Sequence, residues 1–298
     1  MNASRPNIAD KRRTFRQMHE IGCFAIPNPW DIGSARFLQG LGFKALATTS
    51  SGFAWSQGCP DGGVSLDMAI AHLKDIVAVT DVPVNADFEN GFAADATGVA
   101  ESVRLAVETG VAGLSIEDST GDPAEPLYDL AMAVERIRAA RKAIDRAGGD
   151  TILVGRAECF LVGRPDLQET ISRLKAYADA GANCLYAPGL RTRDQIAAVV
   201  AAVAPHPVNV LIGWSSELTI RDLGALGVRR VSVGGALARS AWGAFAGAAK
   251  LLAEEGAFAG FAHAYSGDDL NTFFRNDLKQ RTGVAPIQLD RPRGDNCA

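Results

Sequence analysis

The 298-residue chain sets 30 Lys and Arg against 34 Asp and Glu, a formal net charge of −4, and has no basic block. That balance excludes nucleic acid as an expected partner. No apolar run reaches the roughly 18 residues of a membrane span, and residues 1–20 are too charged for a signal peptide. The expectation is a soluble, cytoplasmic protein with no membrane partner. A hydrophobic share of 47% supports a large core. The cysteines Cys23, Cys59, Cys159, Cys184 and Cys297 form no Cys-x-x-Cys pair, which argues against a zinc site or a disulfide framework.

Strand-like and helix-like runs alternate along the chain. A helix near 10–21 comes first. Strands are expected at 23–27, 45–50, 82–87, 113–117, 151–157, 184–188, 209–213 and 230–234. Amphipathic helices are expected near 31–41, 65–79, 95–109, 129–147, 166–180, 192–203, 219–226 and 236–255, with apolar residues at helical spacing, as in Ile70, Leu73, Ile76 and Val77. Gly42, Gly110, Gly181 and Gly227 precede strands, where a helix C-terminus calls for glycine. Eight such units in series predict an α/β fold, a (β/α)8 TIM-type barrel. A further helix is expected near 267–281, after a small linker at 256–267, and its Phe273-Phe274 pair must cover something apolar. Residues 1–284 read as one domain and 285–298 as a mobile tail.

In such a barrel the chemistry lies at the C-terminal ends of the strands. Three of these ends carry charge. Val84-Asn85-Ala86-Asp87-Phe88-Glu89-Asn90 crowds oxygen-bearing side chains where strand 3 stops. Ile116-Glu117-Asp118 follows at strand 4, and Gly155-Arg156-Ala157-Glu158 at strand 5. Carboxylates on neighbouring strands repel unless a cation lies between them, so Asp87, Glu117 and Asn85 are the candidate ligands of a hard cation, Mg²⁺ or Mn²⁺. Arg156 is placed to hold a substrate carboxylate, or to pair with Glu158 or Glu117. Thr48-Thr49-Ser50-Ser51-Gly52, after strand 2, offers a turn of hydroxyls and N–H groups to an oxyanion. Asp61 either reaches that site or caps the helix starting near Ser65. No histidine sits at a strand end, which argues against a zinc hydrolase or a His-based triad.

Taken in this order on strands 2 to 5, these motifs resemble the isocitrate lyase/phosphoenolpyruvate mutase superfamily, from about Phe15 to the helix near 281. The resemblance implies a barrel with a helix exchanged between subunits in a dimer or tetramer. It also implies Mg²⁺ near Asp87 and Glu117, with Asp61 in an outer contact, and chemistry through an enolate of a small 2-oxo or 2-hydroxy acid. It gives Arg156 and Thr49–Gly52 to the substrate, with Arg156, Glu158, Ser50 and Ser51 as catalytic candidates. Four features depart from the family's pattern, one of them the missing asparagine-bearing gating loop of the phosphonate mutases. Asn85 replaces the first acid of an Asp-x-Asp pair, which weakens the metal site unless Glu89 compensates. The Lys-Lys-Cys-Gly-His loop of the lyases is absent after Glu117, and Tyr186 stands where an acid or histidine is expected. The resulting expectation is a Mg²⁺-dependent carbon–carbon lyase or decarboxylase acting on oxaloacetate or a methylisocitrate-like acid. The alternatives are carbon–phosphorus chemistry, suggested by Arg191 and Arg193, and a non-catalytic 2-oxo-acid binder.

Overall fold

Polar side chains start most of the helices. Asp31, Ser65, Asp95, Asp129, Asp166 and Thr192 each accept a backbone N–H from the first turn that follows, and each such cap is worth about 1 kcal/mol. The computed structural model describes residues 5–282. In chain order its elements are α1 (Ile8–Met18), β1 (Phe24–Ile26), α2 (Ile32–Gly40), β2 (Leu46–Ala47), α3 (Ser50–Ser56), α4 (Leu66–Val79), β3 (Val84–Asp87), α5 (Ala96–Glu108), β4 (Gly113–Glu117), α6 (Leu130–Arg146), β5 (Ile152–Arg156), α7 (Leu167–Asp179), β6 (Cys184–Tyr186), α8 (Arg193–Val203), β7 (Val208–Leu211), α9 (Ile220–Ala225), β8 (Arg230–Ser232), α10 (Ala236–Glu255) and α11 (Gly267–Thr282).

All eight strands are parallel, in the order β1-β8-β7-β6-β5-β4-β3-β2. The gap between β1 and β2 is bridged by one backbone bond, Ala47 N–H to the Pro27 carbonyl at 3.1 Å. Asn28 reinforces it, donating to the Thr48 carbonyl at 2.8 Å and accepting from the Val233 and Gly234 N–H groups at 2.9 Å. The expected (β/α)8 barrel is therefore borne out. The glycines expected at helix ends take left-handed backbones, as at Gly110 (φ 90°) and Gly181 (φ 104°).

Alternation along the strands divides the core in two. Ala86, Leu114, Ile116, Leu153, Leu185, Val210 and Val231 point outward and pack with Leu73, Val103, Ile137, Leu174 and Val199 of the helices. Ile26, Ala47, Ile152, Val154, Cys184 and Tyr186 point inward, and Phe15 of α1, fully buried, joins them from below. His19 caps α1, its Nδ1–H donating to the Phe15 carbonyl at 2.7 Å. Burial and the nearby Arg230 hold it neutral, with its pKa pushed down to about 3.

Two boundaries differ from expectation. The hydroxyl-rich turn after β2 is the start of α3, with Thr49 as its N-cap. The first helix ends at Met18 because Gly22 (φ 76°) turns the chain soon afterwards.

The described residues group into two compact units, 5–243 and 244 onward. The second holds the later part of α10, a 3₁₀ turn at Ala259–Phe261, and α11. Within it the Phe273 and Phe274 rings meet edge to face at 5.1 Å. The tail expected from 285 lies outside the described residues. Among those residues no helix is long and apolar enough to cross a membrane.

Candidate active site

The odd residues of β3, β4 and β7 and the even residues of β5, β6 and β8 converge inside the barrel. Asp87, Glu117 and Arg156 end adjacent strands, with Glu117 registered on Arg156 and Asp87 on Ser115. Arg156 is the hub. Its Nη1 lies 3.0 Å from Asp87 Oδ1 and 3.2 Å from Glu117 Oε2, while its Nε lies 2.5 Å from Glu158 Oε1. Burial works against the charge on Arg156, and Glu117, Glu158, Tyr186 and Asp87 more than restore it.

Asp87 is fixed from its other side. Its Oδ2 accepts from both the backbone N–H and the hydroxyl of Ser50, each at 3.0 Å, and its own N–H donates to Thr48 Oγ1 at 2.9 Å. Ser50, expected to serve a substrate oxyanion, here donates both its N–H and its hydroxyl to Asp87. Ser51 Oγ lies 3.1 Å from Thr49 Oγ1. Gly52 is buried, and a Cβ on it would stand 2.7 Å from the Thr49 methyl, so glycine is needed for the close turn. Ser65 itself caps α4, which frees Asp61 for the mouth of the barrel. There partial burial, then Asp87, push its carboxyl above the usual range.

The loop after β3 is held by Arg136 of α6, which donates to the Asn90, Ala93 and Ala94 carbonyls. It carries Glu89 in a left-handed backbone (φ 47°), unusual for a residue other than glycine and found where surrounding structure enforces it. Glu89 Oε1 is buried without a hydrogen-bond partner. Burial, then Asp87 and Asp61, push its pKa up to about 7. Glu117 is pushed well above the usual carboxyl range by burial, which Glu158, Asp87 and Glu89 reinforce and Arg156 opposes. The loop after β4 is anchored by Asp118, which accepts from the Glu158 N–H at 2.8 Å, Arg173 at 3.1 Å and Tyr177 at 2.5 Å.

Around one guanidinium, therefore, stand the carboxyls of Asp61, Asp87, Glu89, Glu117 and Glu158. Such an excess of buried negative charge fits a cation. Among the described residues no three His, Cys, Asp or Glu side chains already form a closed metal cage. Mg²⁺ does not require one, because it is commonly held by one or two carboxylates together with water. The unpaired oxygen of Glu89 and the raised carboxyl of Glu117 are the features that a divalent ion between Asp87 and Glu117 would relieve. Asn85 is placed differently from expectation: its Oδ1 accepts from Arg230 at 3.2 Å, one layer below the carboxylates.

Two cavities meet at Ser50, Asp61 and Arg156. The inner one, about 160 Å³, runs from Thr49, Ser50 and Ser51 down to Asn85, Tyr186 and Arg230. The outer one, about 340 Å³, is lined by Glu89, Glu117 and Glu158. Arg191 lies 4.6 Å over the Trp214 ring, and Arg193 pairs with Asp222 at 3.2 Å; neither lines these cavities.

The family model for phosphoenolpyruvate phosphomutase matches residues 15–253, which spans the whole barrel and this site. The chain belongs to the phosphoenolpyruvate phosphomutase family. That bears out the superfamily resemblance carried by the strand ends. A crystal structure of a candidate lyase/mutase of this fold from Burkholderia cenocepacia J2315 is 49% identical, with a TM-score of 0.86 over 90% of this chain and 97% of that one. An uncharacterized protein of Mycobacterium tuberculosis is 35% identical over 74% of this chain and 81% of its own. The oxaloacetate decarboxylase of Paraburkholderia xenovorans is 29% identical over 74% of each chain.

Three residues of the barrel interior were not singled out from the sequence: Arg230, Asn28 and Asn209. Arg230 was read only as part of a strand, although an arginine at an inward position of a barrel strand was a signal. Asn28 and Asn209 gave none, because asparagine is ordinary near strand ends.

Proposed function

We propose that the protein is a Mg²⁺-dependent carbon–carbon lyase or decarboxylase acting on a small 2-oxo or 2-hydroxy acid, with oxaloacetate as the simplest substrate. The observation that carries this reading is the cluster of five carboxyls around Arg156, with the unpaired oxygen of Glu89 among them. A divalent ion held by Asp87 and Glu117, with Glu89 and Asp61 beside them, would supply a Lewis acid for the substrate's 2-oxo group. Ser50 and Arg156 fix Asp87 from both sides, so the pocket is ordered before substrate arrives. Glu158, raised by burial first and not among the residues given to the ion, is the carboxyl placed to hold or return a proton. The relative named oxaloacetate decarboxylase supports the substrate class. Arg191 and Arg193 are engaged elsewhere and do not themselves argue for carbon–phosphorus chemistry.

The test is purified protein with Mg²⁺ and a panel of oxaloacetate, methylisocitrate-like and dimethylmalate-like acids. Turnover of at least one acid, lost with EDTA, is expected. Phosphonopyruvate belongs in the same panel, because loss of its phosphorus NMR signal would replace this reading with carbon–phosphorus chemistry. Ligand binding without any product would leave a non-catalytic binder.

We further infer assembly through the second unit. Phe245, Phe258, Phe261 and Tyr265 are each half or more exposed, a density of apolar surface that marks an interaction face. The family resemblance makes a second copy of this chain, exchanging α11, the occupant. Light scattering at micromolar concentration should give a dimer or tetramer mass; a monomer mass ends the idea.

A further inference from the structure

Arg230 is 2% exposed and belongs to the barrel interior. Its Nε donates to Asn209 Oδ1 at 2.9 Å and its Nη1 to Asn85 Oδ1 at 3.2 Å. Both partners are amide oxygens. Their own amide nitrogens are spoken for, Asn85 donating to the Ala86 carbonyl and Asn209 to Ser232 Oγ, each at 3.0 Å, which fixes the orientation of both groups. Gly113 leaves the room for this arrangement, since a Cβ there would stand 2.7 Å from Asn85 Oδ1.

The contrast with Arg156 is sharp. That guanidinium meets three carboxylates, whereas Arg230 meets none among the described residues. Burial lowers the pKa of Arg230, and Cys184, Tyr186 and Asp87 partly offset this. Cys184 and Tyr186 are themselves raised by burial, and Asp87, the one carboxylate among the three, makes its contacts with Ser50 and Arg156 in the layer above. A guanidinium keeps its charge in proteins. Neutral oxygens satisfy its N–H groups without discharging it, so among the described residues this buried cation has no anion in direct contact, a costly arrangement unless something supplies one. The contacts to Asn209 and Asn85 use two of its five N–H donors, and the inner cavity of about 160 Å³ reaches Arg230 from the carboxylate layer above.

We propose that Arg230 binds the second carboxylate of the substrate, so that this barrel selects dicarboxylates over monocarboxylates. The substrate then spans the two layers, with its 2-oxo end at the level of Asp87 and Arg156 and its distal carboxylate on the guanidinium below. The same layout explains why Arg156 has so little left for substrate: it serves the carboxylates of the metal layer. This inference rests on the small-acid reading above and names the class of acid.

The experiment measures affinity by calorimetry in excess Mg²⁺ for malonate, malate and oxaloacetate, with pyruvate and lactate as one-carboxylate counterparts. The intact protein should favour at least one dicarboxylate over its counterpart by about 10-fold or more, the scale of one charge-assisted contact. Arg230→Met should abolish that preference and change pyruvate binding less than about 3-fold. Because removing Arg230 also strips Asn85 and Asn209 of a donor, Asn209→Asp is the second variant. It is nearly isosteric and gives the guanidinium an internal anion. Its melting temperature should rise while its dicarboxylate affinity falls, opposite movements that a purely structural Arg230 would not produce. No dicarboxylate preference in the intact protein, or a preference surviving in folded variants, overturns the proposal. Arg230-dependent dicarboxylate binding without any product would uphold it and sink the lyase reading instead. Turnover of dicarboxylates untouched by both variants would do the reverse.

Discussion

Alanine at position 87 is expected to cut Mg²⁺-supported turnover by about 10³-fold or more, the scale seen when a preorganised electrostatic group is lost. The barrel should remain folded. Removing Asp87 leaves the Ser50 N–H and hydroxyl and one Arg156 N–H without an acceptor, a cost of about 1–3 kcal/mol for groups not reached by water. The same change relieves Asp61, Glu89 and Glu117, each of which is raised in part by the Asp87 charge. Those effects oppose one another, so stability moves little while chemistry collapses. Kinetics on the best acid of the panel across a Mg²⁺ titration, beside thermal unfolding, separates the two. An unchanged Mg²⁺ requirement with unchanged kcat would place the ion elsewhere. In Asn85→Asp the added charge would pair with Arg230 rather than strengthen the ion site.

Arg156→Met should have the larger effect on stability. It strips the buried carboxylates of Asp87, Glu117 and Glu158 of their common cation, and breaking a buried pair from one side costs about 3–5 kcal/mol. The loss must depend on pH. Glu117 and Glu158 are already raised above the ordinary carboxyl value, and without Arg156 they rise further. An acid raised in the folded state binds more protons folded than unfolded, so stability falls as pH climbs through that window. The deficit should therefore be smaller near pH 5 than at pH 8. Millimolar Mg²⁺ should recover part of it at pH 8, because the ion replaces some of the missing positive charge. Urea unfolding at both pH values tests this, and a deficit below about 1 kcal/mol at pH 8 would mean the carboxylates do not depend on Arg156.

Much of this was legible in the chain. The pattern Val84-Asn85-Ala86-Asp87 announces both a strand and its polarity, since side chains on alternate positions face opposite ways. Glycines at 110 and 181 mark helix ends because only glycine adopts their φ cheaply. The strand-end carboxylates and Arg156 followed from the rule that barrels keep chemistry at one face. What escaped is set by distance in sequence. The Ser50–Asp87 and Arg156–Asp87 contacts join residues 37 and 69 positions apart, so spacing offered Glu158 and Glu117 as partners of Arg156, which it does meet, but not Asp87. The helix at Ser50–Ser56 looked like a turn because Ser-Ser-Gly has weak helix propensity; the Thr49 cap decides it. Arg230 hid inside an otherwise apolar strand, where its partners Asn85 and Asn209 lie 145 and 21 residues away.

The division of each strand into inward and outward sets has a consequence for descent. Leu114 and Ile116 build the wall while Ser115 and Glu117, between and beside them, build the chemistry. Selection can therefore exchange one set and leave the other untouched, a new substrate arising by substitution without renegotiating the packing of the shell. A single-residue insertion within β3 or β4 has no such freedom, because it would swap the two sets at once and send charge into the wall. Lineages built on this scaffold should thus diversify by replacement at inward positions and by changes of length in the loops beyond the strands.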